Sequence, residues 1–221
     1  MICLRLYLFY WLTFMHNLFK DYKKVISLVE QEFDRNVRLY GEKMQCGRGC
    51  SACCSQMFRI TPIDAVVISD AMKRMAPEIR ERFQERARVY LEERARMIED
   101  RAHEIHVDEE REVPTAGLRL PCPALEDGAC QIYDARPVVC RKWGIPLFDP
   151  QHPDSLQACE LNFPPGTAIE DNELDELIDH QAEISEHWQE LKTAVNARSH
   201  TDRKATTIAE AILGDNEEMS K

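Results

Sequence analysis

From Asn17 to about Leu39, the apolar residues Leu18, Tyr22, Val25, Ile26, Val29 and Phe33 recur at three- and four-residue steps. That period predicts an amphipathic helix, stopped by Gly41 and leading into a loop that contains Gly47 and Gly49. Past the loop, Thr61 or Asp64 is a candidate cap for a second helix with Ala65, Val66, Ile68 and Met72 as its apolar side, and Pro62 suits the first turn. Pro77 opens a longer helix whose stripe is Ile79, Phe83, Ala87, Tyr90, Leu91, Met97 and Ile98. Its remaining positions are mostly Arg and Glu, with Glu78–Arg82 and Glu92–Arg96 spaced as i,i+4 pairs on a solvated face.

Beyond the long helix, His103–Thr115 is polar and acidic and predicts a loop. Glu126-Asp127-Gly128 signals a turn, and Asp134 is positioned to cap a short helix over Ala135–Lys142. Prolines 146, 150, 153, 164 and 165 predict irregular chain. From Asn172, Leu174, Leu177, Ile178, Ile184, Trp188, Leu191 and Val195 share one helical face, and a last short helix is expected over about Ala205–Leu213. The expected fold is mostly α: one helical domain over residues 17–200 with an irregular cysteine-rich centre. An apolar stretch over 1–16 precedes it, and a short helix with an acidic tail over 201–221 follows.

The run from Leu6 to Met15 follows Arg5 and lacks an A-x-A-like cleavage site. It is also shorter than the ~20 apolar residues of a membrane span. A helix start packed on the core, or an upstream extension with Met15 as the true start, fits better than an interfacial anchor. Composition adds that 44% of the 221 residues are hydrophobic, enough for a core. Lys and Arg number 28 against 39 Asp and Glu, a net charge of −11. With no basic stripe, that balance argues against a general nucleic-acid binder.

The candidate chemistry lies in the cysteines. Cys46, Cys50, Cys53 and Cys54 fall within CGRGCSACC, while Cys122, Cys130 and Cys140 lie in PCPALEDGACQIYDARPVVCR with Cys159 soon after. Only Cys3 stands apart from these groups. Without a secretory signal the cytoplasm is the expected compartment, where clustered thiols bind metal more often than they pair. Sulfur-only sites select zinc or iron–sulfur chemistry, and the short x2 spacing suits both. Metal chelation therefore ranks ahead of metal-free thiol redox and of disulfides. The two groups are expected to close on one centre, with the metal offsetting the entropy of a long loop. Cys53 and Cys54 would serve different metals if their segment is extended, since successive side chains then point to opposite sides. Arg48, Arg136, Arg141 and Lys142, beside the cysteines, are candidates to balance thiolate charge.

These motifs resemble the YkgJ-type cysteine-cluster family, the zinc- or iron-chelating CxxCxxCC domain. Its pattern is met by Cys122-Pro123, Leu125, Gly128, Cys130, Ile132-Tyr133, Arg136-Pro137 and Cys140-Arg141. The region Cys46–Cys159 spans about half of the chain. Three residues separate Cys46 from Cys50 where the family label has two, which weakens Cys46 as a ligand relative to Cys50, Cys53 and Cys54. The resemblance implies chelation of zinc or iron, a 4Fe-4S cluster being one form. The role would be structural, metal-handling or electron-transferring, with a protein partner conceivable. Similar clusters in flagellin lysine-N-methylase-like proteins make a metal-dependent methylase-like or redox enzyme the alternative.

Other candidates are weaker. His103 and His106 sit among acids. Glu176, His180, Glu183 and His187 share a helical face away from the apolar stripe, without the matching Glu-x-x-His helices of a di-metal bundle. No dinucleotide, P-loop or nucleophile-elbow motif is present.

Overall fold

The computed structural model describes residues 2–105, 113–148, 156–157, 159–163, 186 and 206–214. The described chain is mostly helical, as the periodicity predicts. It comprises α1 (Ile2–Tyr40), α2 (Pro62–Lys73), α3 (Pro77–Ile105), α4 (Val138–Lys142) and α5 (Ile208–Leu213). Two antiparallel pairs accompany them: β1 (Leu125–Glu126) with β2 (Ala129–Cys130), and β3 (Leu147–Phe148) with β4 (Leu156–Gln157). Of the helix expected from Asn172, Glu186 alone is among the described residues, and it is helical. No helix among the described residues is long and apolar enough to cross a membrane.

Chain contacts gather into two compact units, one over 1–46 and 141–201, the other over 47–140 and 202–221. In the first, α1 starts at Ile2 rather than Asn17 and ends where Gly41 takes a φ of +51°. Its buried face carries Tyr22, Val25, Val29 and Tyr40, and two polar residues share it, Glu32 and Asn36. Hydrogen bonds offset the burial of the Glu32 carboxylate and of Asn36 Nδ2, while Asn36 Oδ1 is buried without a partner among the described residues. Both Glu32 carboxylate oxygens accept from Arg35 at 2.9 Å, and Asn36 Nδ2 donates to the Glu32 carboxylate and carbonyl at 2.8 Å. The Tyr40 ring meets Phe163 edge-on at 5.1 Å.

The second unit is built on α2, α3 and α5. Ile60, Ile68, Met72, Phe83, Ala87, Tyr90, Ala124, Ile132, Ile208 and Ile212 form its hydrophobic core. Two matched helix starts organise it. Thr61 caps α2 in a box with Asp64, and Thr207 caps α5 in a box with Glu210. The residues just upstream pair as an isolated bridge, with Ile60 N donating to Thr206 O at 2.8 Å and Thr206 N to Ile60 O at 3.0 Å. The two helices thus start side by side, and Ser69 Oγ on α2 donates to Ala211 O on α5 at 2.7 Å.

Local details differ from expectation. The long helix α3 continues to Ile105, so the predicted loop begins later than His103. The expected i,i+4 pairs give way to others: Arg82 bridges Glu126 at 3.0 Å, and Arg96 takes Glu93 one turn back. Glu126 also forms an ion pair with Arg86 at 3.7 Å, and Arg86 donates to Leu125 O, which ties α3 to the β1–β2 hairpin. The stretch after Asp134 is a 3-10 turn over Tyr133–Ala135, and α4 begins only at Val138, because Pro137 interrupts the segment.

Candidate metal centre

The first cysteine group is shaped by two successive tight turns. Cys50 N donates to Gly47 O at 3.1 Å, and Gly49 supplies a φ of +97° that a side chain would disfavour. A 3-10 turn over Ala52–Ser55 follows. The second group is then clipped to the first by backbone pairing. Leu120 N donates to Ser55 O at 2.9 Å, Cys122 N to Cys54 O at 2.7 Å, and Gln56 bridges Arg119. The β1–β2 hairpin, turned by Asp127 (φ 50°) and Gly128 (φ 73°), then returns Cys130 opposite Leu125. Finally Cys140 sits in α4, whose first residue, Val138, donates its N–H to Asp64 Oδ1 at 3.1 Å.

These elements bring six of the eight candidate cysteines to one cavity. Cys50, Cys53 and Cys54 line it together with Cys122, Cys130 and Cys140. The walls between them include Phe58, Tyr90, Ile132 and Ile208. The expectation that Cys53 and Cys54 point to opposite sides fails because their segment is a 3-10 turn, not extended. With three residues per turn, neighbours diverge by only about 120°, and both side chains reach the cavity.

The environment favours the protonated form of three of these sulfurs, Cys53, Cys122 and Cys140. The Cys53 thiol is pushed far above the usual cysteine range, first by its hydrogen bond with Cys54 and then by burial. Burial pushes Cys122 up to about 12. Burial also raises Cys140 well above its ordinary value, and the neighbouring Cys53, Cys122 and Cys130 add to the effect. Among the described residues, no three Cys, His, Asp or Glu side chains already stand at the mutual spacing of metal ligands. None of the eight candidate cysteines is joined in a disulfide.

Positive charge gathers at one side of the same cavity. The Arg136 guanidinium lies 3.5 Å from the centre of the Tyr133 ring, and that of Arg48 lies 5.3 Å from it. Arg136 Nε also donates to Tyr133 O at 2.9 Å. The donor set fits a soft, thiophilic ion: sulfur in excess, with cations to offset thiolate charge.

A family model, CxxCxxCC, described as "Putative zinc- or iron-chelating domain", matches residues 45–160, more than half of the chain. The chain belongs to the CxxCxxCC family. No curated protein and no solved structure matches it.

The span matched to the CxxCxxCC domain also includes Cys46 and Cys159, which belong to the other unit. There the buried Asn162, 1% exposed, organises the surroundings. Its Nδ2 donates to Gly144 O at 2.7 Å and to Cys46 Sγ at 3.2 Å, while its Oδ1 accepts from Gln45 N at 2.9 Å. Cys159 is buried, and its carbonyl accepts from the N–H groups of Asn162 and Phe163, each at 2.9 Å. Arg141 pairs with Glu30, and burial lowers the pKa of Lys142.

The tight fit at Gly144 gives a direct test. A Cβ there would stand 2.5 Å from Cys46 Sγ and 3.1 Å from Asn162 Nδ2. Gly144→Ala should therefore destabilise the protein by about 1–3 kcal/mol through overpacking, read as a lowered melting temperature. Unchanged melting would mean that the Cys46 sulfur swings aside freely.

His103 is exposed near the end of α3. His106 and the face of Glu176, His180, Glu183 and His187 lie outside the described residues. Sequence reasoning missed three contributors: Asp64 as the anchor of α4, Asn162 beside Cys46, and Ile208, which lines the cysteine cavity from beyond the matched CxxCxxCC span. The short helix expected over about Ala205–Leu213 is present as α5, but nothing local announced the pairing of Thr206 with Ile60.

Proposed function

We propose that the protein chelates zinc or iron through Cys50, Cys53, Cys54, Cys122, Cys130 and Cys140, in a structural or metal-handling role. The observation that carries this reading is the convergence of six thiols, from two distant segments, on one cavity. A thiolate-bound ion there would hold together elements that are individually too short to persist, and binding free energy becomes folding free energy. The compartment we assign is the reducing cytoplasm, where cysteines not joined in disulfides stay reduced. The cargo or resident group is a metal ion, and the acidic balance argues against nucleic acid as a partner.

Chelation requires the thiols to lose their protons and close inward. With Cys122 at about 12 and Cys53 and Cys140 also raised, the metal competes with protons throughout the neutral range. The sign follows: acidification strengthens the competitor, so affinity falls as pH falls. Each proton displaced contributes up to about 1.4 kcal/mol, a factor of ten, per pH unit. Anaerobically purified protein should carry bound zinc or iron. A chelator-competition titration should show at least a hundredfold weaker binding at pH 6.5 than at pH 7.5. Absence of metal after purification and reconstitution, or a pH-independent affinity, would overturn the reading.

A further inference from the structure

We propose that the six cavity thiols hold two divalent ions in a single thiolate-bridged cluster, rather than one ion in four of them. The inference rests on the chelation reading above and deepens it. Zinc in closed sites is four-coordinate. The described residues lining the cavity include six cysteines and no His, Asp or Glu, so sulfur is the dominant donor for a thiophilic ion there. One tetrahedral ion would use four sulfurs and strand two thiols among apolar walls. Two ions demand eight ligand positions, which six sulfurs supply when four bind one ion each and two bridge both. The same six-cysteine, two-zinc count is a known solution in small DNA-binding modules.

The adjacent pair supports this count. Cys53 and Cys54 are consecutive, so their Cα atoms are about 3.8 Å apart. That is shorter than the usual Cα separation of a disulfide, whose lower limit is about 4.4 Å. They are poorly placed to pair with each other, yet both face the cavity from one 3-10 turn. Their thiols are hydrogen-bonded to each other, and two sulfurs in that contact suit two neighbouring ions that share ligands. Charge points the same way. Six thiolates around two divalent ions leave two negative charges, the same as four thiolates around one. The guanidiniums of Arg48 and Arg136, both against Tyr133, supply two positive charges on that side. One ion with all six sulfurs ionised would leave four negative charges.

The test uses the full reduced chain, stripped anaerobically and reconstituted with zinc or with cadmium-113. Native mass spectrometry should show two zinc ions per chain. Cadmium-113 resonance should show two signals in the sulfur-only range, split by mutual coupling through a bridging sulfur. Cys54→Ser should reduce the bound zinc from two ions to one. One ion per chain, two uncoupled signals, a four-iron cluster in the protein as purified, or an undiminished count in Cys54→Ser would overturn the bridged pair and leave chelation standing. Failure to retain any ion after desalting would overturn the chelation reading itself.

Discussion

Stripping the metal with a strong chelator at neutral pH should disorder the cysteine-bearing segments around residues 47–58 and 119–140. Their secondary structure is minimal: two 3-10 turns, a hairpin of two-residue strands and the five-residue α4. Isolated helices shorter than about 12 residues are marginal in water, and a lone two-stranded hairpin is no better. What holds these pieces is backbone pairing at a few points, the shared hydrophobic core and, on our reading, the metal. Structural zinc binding of about 10–16 kcal/mol is comparable with or larger than the whole net stability of a domain, about 5–15 kcal/mol. The expected result is a melting temperature lowered by more than about 10 °C, since each kcal/mol is worth a few degrees in a domain of this size. Amide exchange should accelerate first in the two cysteine segments, while the α2–α3–α5 contacts, built on Phe83, Ile68 and Ile212, keep more protection. Unchanged melting and unchanged exchange after complete metal removal would show that the thiols are structurally idle.

The parts of this architecture that were legible in the sequence are those governed by near neighbours. Apolar spacing gave α1, α2 and α3, Thr61 with Asp64 gave a helix start, and Asp127-Gly128 gave the hairpin turn. The cysteine spacing gave the candidate site and the expectation that its two groups meet. The rest depends on partners far away in the chain. Arg82 had two equally reasonable acids one turn away and found Glu126 instead. The conformation of Ala52–Ser55, which decides whether Cys53 and Cys54 share a cavity, has no periodic signature in so short a stretch. The short helix near the C-terminus read as an appendage. Yet α5 packs on both α2 and α3, with Ile208, Ala209, Ala211 and Ile212 buried, because Thr206 pairs with Ile60.

Asp64 is where fold and site meet. Only 1% exposed, its carboxylate accepts from Thr61 N at 3.1 Å and Thr61 Oγ1 at 2.7 Å through Oδ2, and from Val138 N at 3.1 Å through Oδ1. One side chain thus closes the capping box of α2 and anchors the first N–H of α4, the helix that carries Cys140. Asp64→Ala would leave the buried Thr61 and Val138 N–H groups without their acceptor, each a penalty of about 1–3 kcal/mol. A total loss of about 3–5 kcal/mol is expected, at the severe end for a single substitution. Zinc affinity should also fall, by about 10–100-fold, because the residue that orients a ligand-bearing element is lost. Ile212→Ala is the control, since a buried Ile to Ala change costs a similar 2–5 kcal/mol while removing no contact to α4 that the Asp64 carboxylate makes. Its protein should melt earlier yet bind zinc with nearly native affinity at a temperature where it remains folded. If both variants lose affinity equally, Asp64 acts on the metal only through overall stability. If Asp64→Ala alone weakens binding, the carboxylate positions Cys140.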